Sequence, residues 1–401
     1  VLLLCIGSEA QAQRVLGTWT PQATMGTGRF WAFSTAANGK VYGGTGRLEF
    51  SSLTPLNDFW AYDPATDGWT QQANYPGNRE GATAFTIGNR IFAGFGTAFI
   101  QFQRDLYEFL PDSNRWEPRA SAPGIGFAYS HGFVIDSVYY IGPENGTNHV
   151  YAYHANTDTW QQVADFPGGD RRAQVSFAVQ GKGYIGMGAG VFSGVFGDFF
   201  AYDPLTDTWA EVASISPRSD QSTAFAVGDY GYVMNAGGSG GGGKDTYRYD
   251  PAADLWEYEA TLPGDRIANA TACALDSLGF FLFGERTVSG GNFASDQVFV
   301  FRPGHDSSLV DTTTAIVGPA IDSPRWDLRV ANDQLTLDWL ADPHQPARLS
   351  LFDITGRFWQ STTWSSGESL SWSLASIPPG MYLIQLQLPG AAVQTRKWLR
   401  R

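Results

Sequence analysis

Phe199-Phe200-Ala201-Tyr202-Asp203-Pro204-Leu205-Thr206-Asp207-Thr208-Trp209 is the stretch that decides the fold. Its first half alternates aromatic and small residues, as a half-buried strand does. Asp-Pro and the Thr-Asp after it supply a hairpin turn, because proline presets its backbone angle and aspartate bonds the following amides. Trp209 then opens the next strand. The pattern returns at Phe59-Trp60-Ala61-Tyr62-Asp63-Pro64 before Trp69 and at Leu106-Tyr107-Glu108-Phe109-Leu110-Pro111 before Trp116. It returns again at Val150-Tyr151-Ala152-Tyr153-His154 before Trp160 and at Thr246-Tyr247-Arg248-Tyr249-Asp250-Pro251 before Trp256. The intervals between these tryptophans run from 44 to 49 residues, the period of propeller blades and not of helical repeats.

Upstream of each hairpin lie a strand of small residues and a second strand ending in glycine, at Gly43-Gly44, Gly94, Gly142, Gly186, Gly237-Gly238 and Gly284. Four strands per unit result. A sixth unit, from about Asn269 to Phe301, has the small-residue strand and the aromatic strand Val298-Phe299-Val300-Phe301 but no tryptophan strand after it. Gly17-Thr18-Trp19-Thr20 near the start supplies one, and pairing it into the last blade removes two sheet edges that would invite aggregation. With 47 Gly, 14 Trp, 17 Tyr, 27 Phe and 16% charged residues, the composition also favours strands and tight turns. The expected fold class is all-β: a six-bladed propeller over residues 14–303 closed by its N-terminal strand, a linker over 304–325, and a small C-terminal β-sandwich over 326–401.

The glycine doublets at 43–44 and 237–238, the tyrosines at 62, 153, 202 and 249, and the tryptophans resemble the kelch repeat family. Blades two, three, four and six depart from its full glycine doublet, and blade two has Phe109 where tyrosine is usual. Near the end, Leu351-Phe352-Asp353-Ile354-Thr355-Gly356-Arg357, Leu374 to Ile377, Pro379-Gly380-Met381-Tyr382 and Lys397-Trp398-Leu399 resemble the type A sorting domain of the type IX secretion system. That resemblance implies a Bacteroidetes-like source, the type IX secretion machinery as a partner, and passage through the periplasm to the outer-membrane surface or the medium. A carbohydrate-binding or adhesive sandwich is the alternative for the same residues; the acid-free stretch after Glu368, ending in Arg396, Lys397, Arg400 and Arg401, favours sorting.

Val1-Leu2-Leu3-Leu4-Cys5-Ile6-Gly7 followed by Ala10-Gln11-Ala12 reads as the apolar core and small-residue cleavage site of a truncated signal peptide, residues 1–12, cut after Ala12. Leu4 is bulkier than a lipoprotein signal tolerates at Cys5. Cleavage would leave Cys273 as the sole cysteine, without an intrachain disulfide. A net charge of −13 lacks the basic footprint that nucleic acid or an anionic membrane requires. No later run approaches the ~18 apolar residues of a membrane span. A monomer is expected.

For function, the inner strands align Thr35, Phe85, Phe133, Phe177, Phe225 and Cys273, each after a small residue suited to a crowded axis. Cys273 therefore reads as a packing residue and not a nucleophile. Six or seven residues earlier stand Arg29, Arg79, Arg171, Arg218 and Arg266, with Phe127 in blade three. Rotational repetition predicts a ring of cations at one mouth of the channel, beside the loops joining second and third strands, at 45–57, 97–103, 189–197, 239–244 and 285–295. Such a mouth suits a protein or glycan ligand carrying an anionic group. An arginine at this position can instead bond loop carbonyls. Kelch-like galactose oxidases hold copper between tyrosines and histidines, but His131, His149 and His154 lie within one blade and His305 apart, so neither a metal nor another cofactor is expected. Paired aspartates such as Asp63 and Asp67 fit turns better than calcium. Sialic-acid mutarotases share this propeller class and hold a carboxylate with arginine; Glu80 or Glu285 would then serve as acid or base. The expectation is a binding module, with a sugar-acid mutarotase or epimerase as the alternative.

Overall fold

All five aromatic hairpins form, and each is the outer half of a four-stranded antiparallel sheet. The computed structural model describes residues 14–49, 54–144, 146–190, 194–235, 243–288 and 291–306, together with seven C-terminal strands between 326 and 400. The expected signal segment, residues 307–325 of the linker expected over 304–325, and parts of four of the long loops lie outside the described residues; His305–Asp306, at the start of that linker, pairs with Arg14–Val15. In the first blade Phe33–Ala37 is innermost, followed outward by Lys40–Gly44, Phe59–Asp63 and Gly68–Gln72. Four more blades repeat this order from the inner strands Thr83–Ile87, Gly132–Ile135, Val175–Val179 and Thr223–Val227. The sixth has Thr271–Leu275, Leu278–Leu282 and Val298–Arg302, and its outermost strand is Thr18–Gln22 from the other end of the propeller. Trp19 lies opposite Phe301 and Pro21 opposite Phe299. Each inner strand neighbours the next, and Thr271–Leu275 neighbours Phe33–Ala37, so the circle is closed.

The chain divides into two compact units, Val1–Asp311 and Thr312–Arg401. Within the second, Trp326–Ala331, Gln334–Trp339 and Leu370–Ser373 make one antiparallel sheet. A four-stranded sheet in the order Phe358–Trp364, Ala347–Asp353, Gly380–Gln387 and Gln394–Arg400 makes the other. No helix among the described residues is long and apolar enough to cross a membrane.

Inner-strand side chains pack from blade to blade. Phe133, Phe177 and Phe225 each stack on an aromatic of the adjacent strand, for example Phe177 on Tyr184 with centroids 5.0 Å apart. Each also fills the space above a glycine in the following blade. A Cβ on Gly183 would lie 1.9 Å from the Phe133 ring, one on Gly231 2.1 Å from Phe177, and one on Gly279 2.3 Å from Phe225. Where the inner residue is small the partner position grows: Cys273 shares a cluster with Val41, and burial pushes its thiol up to about 12. Cys273 is thus a packing residue, kept protonated in its apolar setting.

The turn aspartates tie neighbouring blades together. Asp67, Asp158, Asp207 and Asp254 adopt positive φ, from 49° to 53°, which aspartate tolerates better than bulkier residues. One carboxylate oxygen of Asp207 accepts from the Tyr202 hydroxyl at 2.8 Å and from the Ala164 amide of the preceding blade at 2.8 Å. Trp209 donates its indole N–H to the Ala164 carbonyl at 2.9 Å, so one alanine is gripped at both its polar groups. The grip recurs at Ala23, Ala120 and Ala213. In blade two Phe109 has no hydroxyl to donate, and the neutral Asn114 stands in for the aspartate, accepting from Ala73 at 2.8 Å. The other member of the pairs, as at Asp63 and Asp203, accepts an amide two residues on. We expect Asp207→Ala to cost about 1–2 kcal/mol, read from urea denaturation. The pair Tyr202→Phe with Asp207→Asn recreates blade two and should cost less than the sum of its parts; strict additivity would contradict this account.

Candidate functional site

The arginines enter the inner strands as the repeat requires, but they occupy different environments. Arg29 is fully buried; its Nη1 donates to the Thr45 carbonyl at 3.1 Å, and both terminal nitrogens donate to Asp58, at 2.6 and 2.7 Å. Arg171 repeats this with the Met187 carbonyl and Asp198, at 3.2 and 2.6 Å. Arg79 pairs with Asp105 at 2.5 Å and donates to the Asn78 carbonyl. Three aspartates just ahead of the third strands therefore hold these guanidiniums against their own loops. Arg218 is exposed, with Nη1 3.5 Å from the Val195 carbonyl, and Arg266 is half-buried. These two stand seven residues before the inner aromatic position and the others six, so Ser219 and Ile267 hold the equivalent places. Blade three inverts the polarity: buried Glu144 accepts from the amides of Ile125 and Gly126.

Burial pushes the Asp58 carboxyl up, but hydrogen bonds and charge from Arg29 outweigh it and hold the group below the usual carboxylate range. Glu108, buried between Arg90 and Arg119, is held down in the same way. A lowered folded pKa contributes stability that is complete above the unfolded value, roughly 4, and is lost as pH falls through the folded one. Stability should thus be flat from neutral pH to about 5 and fall below about 4. Asp58→Asn should cost about 2 kcal/mol at pH 7, less than a fully buried pair because Asp58 is 23% exposed. It should also flatten the acid limb; melts at pH 7, 5 and 3 read both effects.

Two residues beyond the arginine position, one residue from each blade lines the axial mouth: Trp31, Gly81, Tyr129, Ala173, Gln221 and Asn269. All but Gln221 have positive φ, between 52° and 62°, a conformation that strains tryptophan, tyrosine and alanine and often accompanies functional sites. Backbone bonds run around this ring: Trp31 donates to Asn269, Gly81 to Trp31, Tyr129 to Gly81, Ala173 to Tyr129 and Asn269 to Gln221. Loop segments after the second strands flank the ring, as the bridges of Glu80 with Thr97 and Arg172 with Ala189 show.

Above the ring opens a cavity of about 310 Å³ lined by Trp31, Tyr129, Arg172, Asp220, Gln221 and Asn269, among others. Arg172 is exposed, and among the described residues its guanidinium has no partner. Beneath, His131 faces two smaller cavities in line along the axis. Burial lowers its imidazole to about 4, so it is neutral at physiological pH. Glu80 and Glu285 are buried beside the ring: Glu80 accepts from Arg47, Tyr129 and Thr97, and Glu285 accepts from Asn269 at 2.8 Å. The ring carries no motif in the sequence because its six residues share no chemistry. Their only signal is position, four residues ahead of the inner aromatic.

Six four-stranded blades, an inserted N-terminal strand and an axial mouth define a kelch-type β-propeller. No protein-family model matches the chain. Human kelch-like protein 23 is 24% identical over 243 residues, which cover 57% of this chain and 41% of that protein. N-acetylneuraminate epimerase of Yersinia enterocolitica is 32% identical over 139 residues, 32% of this chain and 35% of the enzyme; that of Pasteurella multocida is 29% identical over 119 residues. The chain thus spans about a third of the length of these epimerases. The solved structure of YjhT superposes with a TM-score of 0.56 at 16% identity, covering 69% of this chain and 96% of that one, a likeness of fold alone.

Proposed function

We propose that this chain is an exported binding module whose propeller takes a protein or glycan ligand by an anionic group at the axial mouth, without turnover. One observation carries the reading: Arg172, whose guanidinium has no partner among the described residues, on an open cavity walled by Trp31 and Tyr129. A concave site with aromatic walls and few polar groups is the common form of a ligand pocket, and the kelch-like relatives support a propeller that binds. In this reading residues 326–401 serve as the type IX sorting element and the destination is the outer-membrane surface or the medium. Deleting 326–401 in the native host should then strand the propeller in the periplasm; unaltered export would remove that part.

The alternative, a sugar-acid mutarotase or epimerase, draws on the epimerase relatives. Glu80 and Glu285, its candidate acid and base, are engaged with Tyr129 and Asn269, which favours a holding role. Exchange NMR on the anomers of N-acetylneuraminate with the full chain decides between the readings. We expect uncatalysed exchange, and calorimetric binding of anionic ligands that Arg172→Ala weakens tenfold or more. Catalysed exchange would establish the enzyme instead.

A further inference from the structure

After the second strand of blade two the chain makes a narrow hairpin, Thr97–Ala98 paired with Gln101–Phe102, and Thr97 anchors it to Glu80 at the rim of the mouth. Its two-residue tip, Phe99-Ile100, is 68% and 93% exposed, and Phe102 is exposed below it. Phe99 adopts a φ of +58°. A bulky residue in the left-handed region is strained, and such strain gathers at functional sites. The segment entering blade three extends the patch: exposed Ile125 is followed by Gly126, where a Cβ would lie 3.1 Å from the Cβ of Phe102.

Two features set this patch apart. Hydrogen-bonding groups around it are turned inward. Buried Glu144 accepts from the amides of Ile125 and Gly126, and the Gln103 amide donates to the Gly96 carbonyl at 2.9 Å. The Gln103 side chain donates to the Gln101 carbonyl at 3.1 Å, and Arg104 to the Gly124 carbonyl at 3.2 Å. The patch is also free of acids: neither 91–104 nor 118–135 contains Asp or Glu, in a chain with 39 of them. The turn aspartates, such as Asp63, Asp203 and Asp250, stand at the far ends of the third strands, away from this face.

We propose that this tip inserts into the interfacial layer of a lipid bilayer and holds the propeller at a membrane surface. Hydrocarbon supplies no hydrogen bonds, so a segment that enters it must satisfy its polar groups internally, as the hairpin and its neighbour do. A protein interface would instead surround an apolar centre with polar groups free to bond the partner, whereas Gln103 and Arg104 are engaged by the loops' own carbonyls. Apolar insertion drives the contact, because a net charge of −13 gives no attraction to anionic headgroups. A neutral bilayer is therefore sufficient, and the contact is independent of what the mouth binds.

Flotation of the full chain with phosphatidylcholine vesicles tests this. We expect the chain to float with them, and Phe99→Ser combined with Ile100→Ser to lower its partition coefficient about tenfold or more. Leu205→Ser, at a turn on the opposite face and as exposed as Ile100, should leave partitioning unchanged. Phe99→Gly should weaken partitioning without lowering the melting temperature, because glycine accepts a positive φ without strain; thermal melts verify that every variant folds. Flotation should persist in about 1 M NaCl, where attraction between charges is screened. Absence of flotation, or flotation unmoved by the double substitution, overturns the inference. Binding confined to vesicles containing phosphatidylglycerol and lost in salt overturns it as well, by making the contact one of charge. Dimerisation in sedimentation velocity that the double substitution abolishes, without flotation, overturns it in favour of a second copy of the chain.

Discussion

Trp19→Ala should lower the propeller's stability by roughly 3–5 kcal/mol and make it prone to self-association. Trp19 is 8% exposed, sits 4.8 Å from Phe301 ring to ring, and reaches Phe225 of the preceding blade at 6.3 Å. Its indole donates to Thr246 at 2.9 Å. Losing it removes a large apolar contact, leaves a buried hydroxyl with one bond fewer, and loosens the strand that covers the edge of Val298–Arg302. Trp19→Phe keeps much of the packing and should cost about 2 kcal/mol. Guanidinium denaturation with size-exclusion chromatography checks both; a loss within 1 kcal/mol for the alanine variant, as a monomer, would mean that the closing strand is ornamental.

Gly183→Val should be nearly as damaging, at roughly 3 kcal/mol. The introduced Cβ would coincide with the Phe133 ring, which is itself stacked on Tyr140 and has little room to retreat. The molecule already contains the remedy. Cys273 shares a cluster with Val41, the residue that stands where Gly183 does in its own blade. Phe133→Cys should therefore rescue Gly183→Val in part, giving a double variant more stable than the single one by about 1 kcal/mol. A double variant at or below the single one would show that the two positions do not compete for one space.

The sequence carried the strand order and the ring closure because both rest on residues that repeat for packing reasons. Tryptophan, tyrosine and the turn aspartate grip the neighbouring blade, so no blade can vary them independently. Even the departures were readable: Phe109 lacks a hydroxyl, and the turn beside it lacks an aspartate. The site was harder. Arg29, Arg79 and Arg171 look alike in sequence whether they face solvent or an aspartate, and the deciding residues, Asp58, Asp105 and Asp198, lie in the same blades but more than twenty positions away. A slip of one residue then separates Arg218 and Arg266 from that set. Arg172 stands beside a buried arginine of the same type, and only its neighbour's ion pair shows which of the two remains open. Trp31 and Tyr129 carry no motif, since positions at the mouth of the channel are free of the packing that makes the blades repeat.

Pairing Thr18–Gln22 with Val298–Arg302 also sets the order of assembly. Thr18–Gln22 cannot dock until Val298–Arg302 has been synthesised, so it waits unpaired while the chain of the intervening blades is made. Contacts this distant along the chain slow folding and expose intermediates to misassociation. A circular permutant that carries residues 14–24 after residue 303 would turn this long-range docking into a local hairpin, and it should refold faster with an unchanged final structure.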